Sequence, residues 1–310
     1  MSASDVTVVL DWGTSSFRAF LVDGNATLLD SSESAQGIQS VPAGEHARVL
    51  SDALKPWRGR HGALKIVAAG MIGSRNGWIE MPYVPAPATP IDLAAASRTI
   101  ELPEGDRLTF VPGLTDRTAY PFPDVMRGEE TQLVGFGLDR PATVVLPGTH
   151  SKWARIEDGA IQCFRTFVTG EVFATLANHS FLAKVATAPA DHRSAAFREG
   201  VSLAMADGTE AGGLLTRLFA VRTGWLAGKV QPAEMKSRLS GLVVGWEFRE
   251  ARDTGWFRKG DKIAVVGDDD LVAVYTATAE FCDLSVEAAP ADAAIRGALR
   301  ISELARHPAE

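Results

Sequence analysis

Cysteine is nearly absent from this chain, with Cys163 and Cys282 the only two in 310 residues. They form no CxxC pair and no metal-type spacing. A disulfide framework is therefore excluded, and two packed thiols in a reducing cytosol are expected. The six histidines form no HxxxH or HxH pattern, which leaves a zinc site without support. Positive charge is in deficit, with a formal net charge of −7. That removes the electrostatic case for binding nucleic acid or a membrane surface. No run of eighteen apolar residues and no basic-then-apolar leader occurs, so a soluble, cytoplasmic protein without export is expected.

What is present suffices for a substantial core: 46% of residues are hydrophobic and 22% charged. Strands alternate with helices throughout. The pattern predicts strands at VVL, FRAFLV, LLDSSESA, KIVAAG, LTFVPGL, CFRTFVTG, KIAVVG and LSVEAAP. Helices are expected around 45–54, in DLAAASRTI, after Asp124, around 172–185, near 212–225 and 231–253, from 268 to Phe281, and in the amphipathic ADAAIRGALRISELAR. MPYVPAPATP carries four prolines and reads as an extended loop.

The opening hairpin is echoed halfway along. GTSSFRAFLVDG, from Gly13 to Gly24, lies over GTHSKWARIEDG, from Gly148 to Gly159, at an offset of 135 with six of twelve positions identical. Both copies sit in a strand–turn–strand context. The repeat implies two α/β domains of one design, 1–139 and 140–310, with a cleft between them.

A turn with backbone N–H groups and hydroxyls can cradle phosphate oxygens, and one such turn per domain suits a polyphosphate. In the first turn the candidate groups are Gly13, Thr14, Ser15, Ser16 and Arg18; in the second they are Gly148, Thr149, His150 and Lys152. Asp11 would repel a phosphate, but it fits a Mg²⁺ that accompanies a nucleotide, held through water. A single Gly-Thr hairpin is more often an ordinary turn; two in matching context reverse that preference. In RGEETQLVGFG, Glu129 and Glu130 open a helix, where an acid gains from the helix dipole without further role. A carboxylate there could also take the proton from an attacking hydroxyl. Arginine pairs bidentately with anions, and Arg75, Arg127 and Arg165 lie near predicted turns, with Asn76, Trp78, Thr169 and Glu171 close by in sequence; these are the candidate substrate-binding residues.

These elements resemble, in this order, the motifs of the actin-like ATPase superfamily of kinases. DWGTSSFR resembles its first phosphate motif and PGTHSKW its second. GEETQLVGFG is similar to the segment that carries the sugar kinases' general base, which places Glu129 at the base position; it also resembles the Glu-Glu-Ala segment of exopolyphosphatases. More closely, DWGTSSFRAFL, AAGMIGSRNGW, VPGL, DVMRGEETQLVGFG, LPGTHSKW and FRTFVTGE together resemble the 2-dehydro-3-deoxygalactonokinase family, from Val8 to Glu171 with a weaker continuation. The resemblance implies two actin-like (ribonuclease H-like) domains with an active-site cleft between them. It also implies ATP-dependent phosphorylation of 2-dehydro-3-deoxy-D-galactonate at the 6-hydroxyl, in D-galactonate breakdown. The sequence departs from the superfamily at its adenosine motif, where only Gly267 remains, before Asp268, Asp269 and Asp270; these acids suit helix capping.

The expectation is thus a kinase using ATP and Mg²⁺ on a small sugar acid, with Glu129 or Glu130 as base. Two alternatives stand beside it: a phosphohydrolase resembling exopolyphosphatase, and a non-enzymatic actin-like nucleotide-binding protein. The sequence leaves substrate stereochemistry and oligomeric state open, a homodimer being one option.

Overall fold

A computed structural model describes residues 6–208 and 212–306. The chain opens with β1 (Thr7–Trp12), β2 (Phe17–Val22) and β3 (Leu28–Ser34), then α1 (His46–His61) and β4 (Lys65–Ala69). Next come β5 (Tyr83–Pro85), α2 (Pro90–Ala95), β6 (Arg98–Glu101), β7 (Arg107–Phe110), β8 (Gly113–Asp116), β9 (Asp124–Met126) and α3 (Glu129–Phe136). The second half holds β10 (Ala142–Leu146), β11 (Ser151–Glu157), β12 (Ala160–Phe167), α4 (Thr169–His179), α5 (Leu182–Val185), α6 (Ala195–Met205), α7 (Leu214–Leu226) and α8 (Met235–Asp253). It ends with β13 (Lys262–Val265), α9 (Asp269–Phe281), β14 (Ser285–Ala288) and α10 (Ala293–Arg306).

Two sheets repeat one plan. The first runs β3-β2-β1-β4-β7-β6 and the second β12-β11-β10-β13-β14. In each, three strands consecutive in sequence lie side by side, and the next strand joins beyond the first of them. β1 pairs antiparallel with β2 and parallel with β4. It is central and buried along its length except at Asp11, as its unbroken apolar run requires. A small third sheet runs β5-β8-β9.

The chain forms two compact units. One comprises Met1–Pro141, Ile156–Phe164 and Pro290–Glu310; the other comprises Ala142–Arg155 and Arg165–Ala289. A division at 139 and 140 leaves out what the first unit takes back at the end of the chain. The amphipathic α10 packs against α2 and α3 and buries Ala293, Ile295, Gly297, Ala298 and Ile301.

Local differences from the sequence reading have local causes. The proline-rich stretch from Met81 contributes β5, whose backbone pairs with β8 at an edge where proline is tolerated. DLAAASRTI divides: α2 is closed by the Ser97 hydroxyl on the Leu93 carbonyl, and the β-branched Thr99 and Ile100 continue as β6. LTFVPGL becomes two strands, because Pro112 cannot donate to a continued ladder. The helix α6 was not expected from sequence; Ser194 caps it by accepting from Phe197 N–H. At α9 the expected capping is present, with the Asp268 carboxylate accepting from Leu271 N–H at 2.9 Å. Among the described residues, no helix is long and apolar enough to cross a membrane.

Candidate active site

In open sheets with parallel strands, ligands gather at the carboxyl ends of those strands. In the first unit that edge is the end of β1 and β4. Asp11 stands directly opposite Arg18 across the β1–β2 hairpin, and the Arg18 guanidinium donates to its carboxylate at 2.5 Å. Burial pushes the Asp11 carboxyl above its ordinary range; Arg18 pulls it back, and the charge of Glu129 pushes it up again. Asp11 and Glu129 therefore share one electrostatic environment.

Two glycines permit that approach. Gly70 follows β4 with φ +90°, and a Cβ there would lie 3.1 Å from the Trp12 carbonyl oxygen and 3.3 Å from Asp11 Oδ1. Gly128 precedes α3 with φ +109°, and its Cβ would meet the Gly70 Cα at 3.3 Å. The start of α3 thus abuts the end of β4, beside Asp11. The first turn is braced from outside: the carbonyls of Gly13 and Thr14 accept from Ile38 and Gln39 N–H at 3.0 and 3.2 Å. Gly13 N–H closes the turn on the Ser16 carbonyl at 2.9 Å instead of pointing outward as a phosphate donor. Thr14 and Ser15 are exposed and Ser16 half-buried.

The two acids of α3 are chemically distinct. Glu129 is half-buried, and its Oε2 accepts from Arg127 N–H at 3.1 Å. Glu130 is fully buried, with both oxygens on Gly128 N–H at 2.9 and 2.7 Å. Burial, followed by the charge of Glu129, pushes the Glu130 carboxyl up to about 8. Glu130 is a sealed, protonated acid at neutral pH, while Glu129 keeps access to solvent.

Arg127 is the most unusual cation of this unit. It is 9% exposed, donates from Nη2 to the Met81 carbonyl at 2.9 Å, and stacks its guanidinium over the Tyr83 ring at 4.3 Å. Its Nε and Nη1 are buried without a hydrogen-bond partner. A buried donor left unmatched costs about 1–3 kcal/mol, so these two nitrogens have room for a hydrogen-bond acceptor that the chain itself does not supply. The segment after β4 supports this group: a Cβ on Gly73 would lie 3.1 Å from Arg127 Nη1. The same segment lines a cavity of about 510 Å³ with Arg75, Asn76, Gly77 and Trp78, closed on the other side by Val41 and His46. That volume is within the range of small-molecule sites. Arg75 and Asn76 are exposed, and Trp78 is half-buried.

The second unit carries the echoing turn after β10. His150 Nε2 and Glu171 Oε2 are 2.6 Å apart, both side chains about half exposed. The start of α4 presses on this turn: Glu171 N–H donates to the Thr149 carbonyl at 3.0 Å, and a Cβ on Gly170 would fall 2.4 Å from the Gly148 oxygen. Lys152, expected as a phosphate cation, is 5% exposed and donates to the His150 carbonyl at 2.8 Å. Arg165 is half-buried on β12 and engaged by neighbouring groups. Gly267 lies beside Pro147, which leads into the turn.

Behind the turn sits a carboxylate that sequence reading passed over. Glu247 of α8 is 2% exposed and accepts from Ser151 Oγ, Trp153 Nε1 and the Tyr275 hydroxyl, each at 2.7 Å, and from Thr169. Burial raises its pKa and these four donors lower it. It ties β11, α4, α8 and α9 together, so Thr169 serves the scaffold. A signal existed: Leu239, Val243 and Glu247 recur every fourth residue on one buried helix face. His46 and Ser74, both buried, also went unnoticed, since a single histidine at a helix start and a serine in a loop carry no pattern.

The candidates therefore fall into two groups. Asp11, Arg18, Glu129, Arg127, Arg75, Asn76 and Trp78 belong to the first unit; His150, Thr149, Thr169 and Glu171 belong to the second.

Comparison with known proteins agrees along the whole chain. The model of the family described as 2-keto-3-deoxy-galactonokinase, the older form of the 2-dehydro name, matches residues 11–301. A protein of Rhizobium meliloti (strain 1021) named as a 2-dehydro-3-deoxygalactonokinase is 35% identical over 99% of this chain and all of its own. The 2-dehydro-3-deoxygalactonokinase of Escherichia coli (strain K12) is 31% identical over 94% of this chain and 96% of its own. A crystal structure from Sinorhizobium meliloti, titled as a protein of that activity, superposes with a TM-score of 0.85 at 33% identity, covering 97% of this chain and 99% of its own. At the level of fold alone, a carbohydrate kinase from Novosphingobium aromaticivorans aligns with a TM-score of 0.50 at 14% identity, over 96% of this chain and 94% of its own. The activator of the 2-hydroxyisocaproyl-CoA dehydratase from Clostridium difficile, with bound ADPNP, aligns at 0.50 and 12%, over 97% and 96%.

Proposed function

The chain belongs to the 2-dehydro-3-deoxygalactonokinase family, and from that premise we propose which of its groups perform the phosphoryl transfer to 2-dehydro-3-deoxy-D-galactonate. Arg127 receives the carboxylate of the acceptor. The observation that carries this is its pair of buried, unpartnered guanidinium nitrogens. Arginine presents a planar fork that matches a carboxylate with two parallel hydrogen bonds.

Glu129 is the base. It accepts the proton of the 6-hydroxyl as that oxygen attacks the γ-phosphorus of ATP; the bond to the β–γ bridging oxygen breaks, and ADP leaves. Of the two adjacent acids, Glu130 is disfavoured because it is sealed and already protonated at neutral pH. Positioning by Arg127 and the cavity residues lowers the entropic barrier.

The hydroxyls of Thr14, Ser15 and Ser16 in the first unit are donors for nucleotide phosphates. Mg²⁺ fits the donor set as a companion of ATP. No three acids or histidines gather as a metal site among the described residues, whereas Mg²⁺ takes one or two carboxylates, water and phosphate oxygens. Asp11 would hold it through water, and the ion would offset phosphate charge. A cytosolic setting suits the two free thiols, Cys163 and Cys282.

A coupled ADP-release screen over aldonic and keto-deoxy aldonic acids tests the reading. Release dependent on 2-dehydro-3-deoxygalactonate supports it; equal release with every acid, or with none, contradicts it.

A further inference from the structure

Five side-chain nitrogens and oxygens are buried without a hydrogen-bond partner among the described residues. Two belong to Arg127 and one to Arg238, whose guanidinium also pairs with Glu199. The remaining two are His46 Nε2 and Ser74 Oγ. Of these two residues His46 lines the cavity of the first unit, and Ser74 precedes the lining residue Arg75 in sequence. Native proteins leave few buried polar atoms unmatched, and His46 Nε2 is such an atom on a residue that lines a cavity.

His46 is held for such a role. It opens α1, is 5% exposed, and stacks on Trp78 with ring centroids 6.1 Å apart and planes at 14°. Trp12 contacts its ring from the side at 6.0 Å. This packing fixes the imidazole plane, so Nε2 has one direction in which to make a hydrogen bond. Burial lowers the pKa of the ring, keeping it neutral at physiological pH. A neutral imidazole nitrogen pairs with a hydroxyl; it does not substitute for a cation at the carboxylate.

We propose that His46 Nε2 hydrogen-bonds a mid-chain hydroxyl of the sugar-acid acceptor and so sets selectivity between acceptors that differ in that hydroxyl. The proposal rests on the assignment of the acceptor to the first unit, and it names a specificity-determining contact within it. A site built to pair with a hydroxyl strongly rejects acceptors that present none there, because its own buried groups are then left unmatched.

The test compares wild type, His46→Ala and His46→Gln with 2-dehydro-3-deoxygalactonate and its C4 epimer, 2-dehydro-3-deoxygluconate. His46→Ala is expected to raise the acceptor KM about 10–100-fold, leave the ATP KM within twofold, and shrink the ratio of kcat/KM between the two epimers. His46→Gln, which keeps a hydrogen-bonding group, should recover part of the loss. An acceptor KM within twofold of wild type in a folded His46→Ala protein, or an unchanged epimer ratio, overturns the proposal.

A measurement on the wild type keeps the test valid if the variants fail to fold. With ¹⁵N-histidine labelling, addition of 2-dehydro-3-deoxygalactonate without nucleotide should shift the His46 Nε2 resonance, and an unmoved resonance at saturating acceptor overturns the contact. Failure of the kinase reading itself would look different: wild type would then release no ADP in response to either acid.

Discussion

Arg127 gives one of its guanidinium nitrogens to the carbonyl of Met81 at 2.9 Å and keeps Nε and Nη1 buried and unmatched. The protein thus orients a cation without satisfying it, which is the arrangement expected of a carboxylate receptor. Replacing Arg127 by Met should raise the acceptor KM about 30–150-fold, the worth of a charge-assisted contact of about 2–3 kcal/mol. Arg127→Lys should restore little, since an ammonium lacks the fork. Initial-rate kinetics against each substrate check this; the ATP KM should stay within about threefold of wild type, as expected for a group that touches only the acceptor.

Glu129 and Glu130 are neighbours with opposite fates, and Glu129→Gln separates them. Loss of a general base lowers turnover by about 10²–10⁴-fold, and kcat is expected to fall by that factor with ATP affinity largely kept. Near-normal turnover would remove Glu129 from the base role.

Glu130 makes a prediction about stability instead. Its carboxyl is raised to about 8 in the folded protein, from an ordinary 4.5. A raised acid is protonated when folded and ionised when unfolded, so its contribution is complete below pH 4.5 and is lost as pH rises to about 8. Over that window the slope is about 1 kcal/mol per pH unit. Glu130→Gln removes the titrating group. Urea denaturation from pH 5 to 8 should show wild-type stability falling more steeply with pH than that of the variant.

Glu247 anchors four donors behind the second turn, and truncation to Ala strands them. Glu247→Ala should cost about 3–5 kcal/mol, fewer than four full desolvation penalties because part of the cavity relaxes. The corresponding fall in Tm is about 5–8 °C for a chain of this length. Glu247→Gln, which retains one acceptor oxygen, should lose less; calorimetry distinguishes them.

Much of the fold was legible because it is written in short-range patterns. The apolar run of β1 and the alternation of β2 each lie within a few residues, and the echo of Gly13–Gly24 at Gly148–Gly159 is a direct match of residue identities at an offset of 135. They led to two sheets of one strand order. The split of DLAAASRTI into α2 and β6 was not legible, since it depends on β6 finding β7 as a partner. The site divides along the same line. Asp11, Arg18 and Glu129 were marked by their motifs, and Arg127 stood within one. Lys152 turns back onto the His150 carbonyl two residues away, whereas the buried places of His46 and Glu247 depend on contacts far away in sequence, such as the 94 residues between Trp153 and its acceptor. Burial of a polar group becomes visible only when the surrounding elements are assembled.

The most direct measurement is NMR of the product formed by wild-type enzyme from ATP, Mg²⁺ and ¹³C-labelled 2-dehydro-3-deoxygalactonate. The account predicts equimolar ADP and a phosphomonoester whose phosphorus couples to C6 and its neighbour. Inorganic phosphate in place of the ester, or coupling to any other hydroxyl-bearing carbon, would contradict it.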